Sequence, residues 1–178
     1  MVQIVKYFAN LVTFRAKPQD IPDSHQLLVL TALLALATSL LTATIGDTFG
    51  ATLAISTLQV IIFATVIWLV LKYNGVPERW RQTITALFGA LTLMQLIGWI
   101  VSPGADHMTQ PSATTTLPAP IVMAVAAWYL AIMTHVLRHA IDSSIAKSFL
   151  IGCAVQLLTV VVLVLIITKF GLVVADSL

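Results

Sequence analysis

Charge is what this chain has least of. Only 9% of its residues are Asp, Glu, Lys or Arg, against about 25% in an ordinary globular domain. That is too few to coat a soluble surface. Nine basic and seven acidic residues leave a net charge of +2, too small to argue for a nucleic-acid partner. The single cysteine, Cys153, lies inside an apolar run. No intrachain disulfide can form, and cysteine usage does not report the redox compartment. Also missing are a nucleotide-binding Gly-rich loop, a zincin helix and a nucleophile elbow. The first residues form no continuous apolar region ending in a small-residue cleavage site, so no cleaved signal peptide is expected.

What the chain has instead is apolar sequence, 59% of it. Runs near the ~20 residues that a helix needs to cross a bilayer fall at about 26–45, 51–71, 83–101, 120–136 and 148–168. The expected fold is all-α, a polytopic membrane bundle of five transmembrane helices. The basic residues then set its orientation. Lys6, Arg15 and Lys17 precede the first run; Lys72, Arg79 and Arg81 separate the second from the third; Arg138 and Lys147 separate the fourth from the fifth. With five alternating spans all of these fall on one side and only Lys169 falls on the other. Basic loops stay in the cytoplasm, so the N-terminus is expected inside and the tail 169–178 outside. The longest loop, 102–119, is rich in Pro, Ser and Thr and has no Lys or Arg, as an outer loop should. Both inner hairpins carry a Trp and then an Arg, Trp68 with Arg79 and Trp128 with Arg138. This is either a parallel internal repeat or the common layout of such hairpins.

Residues 1–17 are apolar but too interrupted to span. Gln3, Lys6, Asn10, Thr13 and Lys17 recur at helical spacing on one face, with Ile4, Val5, Phe8, Leu11 and Val12 opposite. An interfacial amphipathic helix is expected, amines toward anionic headgroups. The other arrangement docks it on the protein's own cytoplasmic surface. Pro18 and Pro22 end it, since neither can donate a backbone hydrogen bond. Residues 18–25 therefore read as an elbow in which Asp23 or Ser24 caps the following helix.

The candidate sites are polar or small residues inside apolar sequence. Thr31, Ala35, Ser39 and Ala43, spaced by four, form a small-residue stripe that admits another helix closely, and Gly89 does the same further on. Gln59, Gln95 and Gln156 put one amide in each of three spans. Such amides either join helices or line a polar pathway. The spans carry no Asp, Glu, Lys or Arg at their centres, which argues against active ion coupling. His135 and His139 share a helix face and are weak metal candidates, being half of a zinc site at most. Asp142 sits at the right spacing to pair with Arg138. Asp106 and His107 read as loop surface. Lys6, Arg15, Lys72, Arg79, Arg81, Arg138 and Lys147 make a cytoplasmic basic rim suited to lipid headgroups or a cytoplasmic partner.

The elbow Arg15-Ala-Lys-Pro18-Gln-Asp20-Ile-Pro22-Asp-Ser24, the exit Leu137-Arg138-His139-Ala140 and the five-span layout together resemble small bacterial Yip1-like inner-membrane proteins. The resemblance implies residence in a bacterial inner membrane and a non-enzymatic binding role, with no catalytic residues or cofactor to carry over. The expected function is a scaffold, assembly factor or accessory subunit whose partners are the lipid bilayer and another membrane protein or a second copy of itself. The alternative is a small oligomeric channel or solute facilitator lined by the three glutamines. A third class, a membrane-embedded metal or quinone enzyme, would use His135 and His139.

Overall fold

A computed structural model of the chain describes residues 2–41, 49–101 and 119–170. The described residues form six α-helices and no strand: α1 (Val2–Val12), α2 (His25–Leu41), α3 (Phe49–Tyr73), α4 (Trp80–Val101), α5 (Ala119–Ala140) and α6 (Ile145–Phe170). Short 3₁₀ turns at Pro18–Asp20 and Pro77–Arg79 lead into α2 and α4. Both begin with proline, whose fixed φ suits the first position of a helical turn. Ser24 caps α2, its Oγ accepting from the Leu27 N–H at 3.4 Å.

The five long helices close a ring. α2 packs on α3 and α4, α4 on α5, α5 on α6, and α6 returns to α3. Buried side chains concentrate toward the 73–80 and 140–145 turns. There α4 is buried on every face from 83 to 90, and Ile67, Leu71, Ile84, Ile132, Met133 and Leu137 have no exposed surface. Helices of small to medium side chains close on one another in this way through van der Waals packing.

Two helices, α3 and α6, are long and apolar enough to cross a membrane, and less than a third of the most apolar stretch of each is buried in the protein. A core helix of a soluble protein would be mostly buried, so these faces suit lipid. This narrows the sequence expectation of five spans. α2 is apolar but shorter between His25 and Leu40, and 42–48 lie outside the described residues. α4 opens with the polar residues Arg81 and Gln82, and α5 closes with Arg138 and His139, which dilutes their apolar character. Ala43, the 102–118 part of the longest loop with Asp106 and His107, and the tail from 171 onward also lie outside the described residues.

Helix α1 buries the C-terminal part of its apolar face in the protein, while Ile4 stays exposed. Phe8, Leu11 and Val12 are buried against the bundle, and the Trp128 indole on α5 donates to the Val12 carbonyl at 3.1 Å. This is the docked arrangement of the two that the amphipathic pattern allows. Phe14, in the left-handed region at φ 62°, reverses the chain after α1, and Tyr7 ties the returning strand by donating to the Lys17 carbonyl at 2.8 Å.

Candidate functional site: an axial polar cavity

At the middle of the ring lies a cavity of about 40 Å³ lined by residues from all five long helices. Ser39 comes from α2; Ser56, Gln59, Val60 and Phe63 from α3; Phe88 and Leu91 from α4; Tyr129 from α5; Gln156 and Thr159 from α6. Gln59 lies on the same side of α3 as the buried Ser56 and Phe63, three and four residues away, so it turns inward. Gln59 and Gln156 are exposed residues that line the cavity with only part of their surface. The Phe63 and Phe88 rings meet at 6.1 Å between centroids on the side nearer the close-packed end.

The lining is polar but uncharged. Ser56, Gln59, Tyr129 and Gln156 make no side-chain hydrogen bond among the described residues, whereas Thr159 Oγ1 donates to the Val155 carbonyl at 2.8 Å. In hydrocarbon an unmet polar group is costly, so the convergence of four such groups on one space sets this region apart from the rest of the bundle.

Of the three glutamines, only Gln59 and Gln156 share the cavity. Gln95 is taken up by α2: the Thr38 hydroxyl donates to its Oε1, and its Nε2 donates to Ser39 Oγ at 3.0 Å. The structure therefore splits the set into one interhelical tie and two cavity groups. The stripe on α2 is internal as well. Thr31 and Ala35 are buried within the chain, at 2% and 0% exposed, and Ser39 accepts from Gln95 of α4. Gly89 lies against the Phe8 ring of α1, so its closeness serves that docking.

The basic rim also divides. Arg79 Nη1 donates to the Ala140 carbonyl at 2.9 Å and to Asp142 Oδ2 at 2.7 Å, which closes the C-terminal end of α5 with a cation where the helix dipole favours one. Asp142 thus pairs with Arg79 and not with Arg138. The i, i+4 geometry requires helix, but α5 ends at Ala140 and Asp142 takes a left-handed φ of 49°. Arg81 faces Asp23 at 3.5 Å, Gln82 donates to the Ile21 carbonyl at 3.0 Å, and Gln19 donates to the His139 carbonyl. These bonds fasten the elbow to the α3–α4 and α5–α6 hairpins. Lys72 stacks over Trp68 at 4.7 Å and Lys147 donates to Asn74 Oδ1 at 3.4 Å. Lys6, Arg15 and Arg138 stay exposed. Nothing in the sequence signals that Arg79 would join two hairpins.

His135 and His139 stack at 4.5 Å between centroids, but each has a ring nitrogen on a backbone carbonyl. His135 Nε2 is 3.0 Å from Ala16 O and His139 Nδ1 is 2.8 Å from His135 O. Each of those nitrogens must carry its proton to make the bond, so in the neutral rings the lone pairs lie on His135 Nδ1 and His139 Nε2. No group of three or more His, Cys, Asp or Glu is placed to hold a metal among the described residues.

No family model, curated protein or solved structure matches this chain.

Proposed function

We propose that the chain is a five-span protein of a bacterial inner membrane, N-terminus in the cytoplasm and C-terminus outside, that works without catalysis as a scaffold, assembly factor or accessory subunit. Gln95 carries this reading. Its amide joins α2 to α4, and beyond it the bundle is close-packed toward the 73–80 turn. One of the three glutamines is thus engaged between helices, which supports a structural role over a pathway lined by all three. The exposed cations Lys6, Arg15 and Arg138 suit anionic headgroups or an acidic face of a partner. The exposed apolar faces of α3 and α6 suit lipid or a partner helix. The resemblance to Yip1-like proteins points the same way.

Affinity purification of the tagged chain from native membranes in a mild detergent tests the reading. A stoichiometric membrane partner is expected, retained by the Q59L/Q95L/Q156L variant. A lone homo-oligomer that conducts a small solute in proteoliposomes, and stops conducting in the triple variant, would overturn it in favour of the facilitator.

A further inference from the structure

The axial cavity has a chemistry of its own. Two carboxamides and two hydroxyls, Gln59, Gln156, Ser56 and Tyr129, converge on it without partners among the described residues, and no ionisable carboxylate, amine, guanidinium or imidazole lines it. Carboxamides and hydroxyls both donate and accept. An ion entering would lose its hydration with no opposite charge to compensate, whereas a neutral molecule carrying both a donor and an acceptor would meet a partner for each. The cavity is also blind. Toward the 73–80 turn it ends at Phe63 and Phe88 and then at a core whose large side chains have no exposed surface. A volume of about 40 Å³ exceeds the roughly 10–15 Å³ that one water requires, so the space holds a few waters or one very small solute.

We propose that this cavity is a hydrated binding site for a small uncharged molecule with both hydrogen-bond donor and acceptor, of the primary-amide class, entered from the side away from the close-packed end. Gln59 and Gln156 hold the two ends of the ligand's amide dipole, Ser56 and Tyr129 complete its hydrogen bonds, and the aromatic pair forms the floor. The site does not depend on the scaffold reading, because a subunit can carry a ligand without conducting it.

The test uses the full chain in liposomes with the native thiol removed by C153A. Single cysteines are introduced by S56C and, at the lipid-facing surface, by L157C. A small hydrophilic thiol reagent is applied with and without acetamide, and separately with sodium acetate of the same concentration. A hydrated cavity gives labelling of S56C and little of L157C, since a thiol in lipid does not ionise. Acetamide is expected to slow labelling of S56C severalfold, and acetate to leave it unchanged. Absence of labelling at S56C would overturn hydration. Equal slowing by acetamide and acetate, or by neither, would overturn the ligand class. If S56C does not fold, V60C, at a lining position that makes no hydrogen bond to the ligand, serves with the same readings.

Discussion

The ring of Phe8 lies directly on the backbone of Gly89, so close that a methyl group at position 89 would overlap it. Phe8 sits on α1 and Gly89 about 13 Å along α4 from Trp80, at 1.5 Å per residue. The N-terminal helix therefore reaches well past the 73–80 turn. G89A is expected to displace α1 and to destabilise the protein by about 1–3 kcal/mol, the usual cost of overpacking. In an F8A background the same change should be nearly neutral, because the space is already vacated. Thermal unfolding of the four variants in detergent gives the coupling; simple additivity would show that the two residues do not meet.

Arg79 should matter more than its acidic partner. D142N removes an ion pair whose carboxylate is largely exposed, a loss below about 1 kcal/mol. R79A also leaves the last carbonyls of α5 without their donor, at about 1–3 kcal/mol. R138A should not alter the response to D142N. Equal losses from R79A and D142N would place the importance of Arg79 in the ion pair alone.

The glutamines should separate by role. Q95L breaks two bonds between α2 and α4 and is expected to lower stability by about 1 kcal/mol. Q59L and Q156L remove amides that have no protein partner among the described residues, so each should be neutral or stabilising in detergent. Destabilisation by all three alike would contradict this division.

Docking of α1 should weaken in alkali. Burial, and then the nearby Asp20 carboxylate, raise the Tyr7 phenol above its ordinary value of 10.0. The fold therefore favours the neutral form. This contribution is complete below pH 10 and is lost as pH rises above 10 toward the folded-state value. Wild-type stability should fall across that window more steeply than that of Y7F, which has no proton to lose. Parallel profiles would remove Tyr7 as the cause.

Helicity was legible because long apolar runs with few breakers permit little else, and the prolines narrowed the cap of α2 to Asp23 or Ser24, of which the structure uses Ser24. Choices among equivalent polar groups were not legible. Three glutamines in apolar helices look alike in sequence, and only the approach of Thr38 and Ser39 distinguishes Gln95. Asp142 has a neighbour at helical spacing in Arg138, yet the helix stops one turn too early and a residue from another hairpin reaches it first. The amphipathic face of α1 specified burial, not whether lipid or protein would provide it.

The tie between Trp128 and Val12 spans 116 residues of sequence, and it orders events during synthesis. At about 5–20 residues per second, Val12 is made roughly 6 to 23 seconds before Trp128. Until α4 with Gly89 has followed, the α1 face of Phe8, Leu11 and Val12 has no protein to rest on, and a membrane surface would accept such an apolar stripe. The first segment made is thus seated only after α4 has been made, and is tied down only after α5.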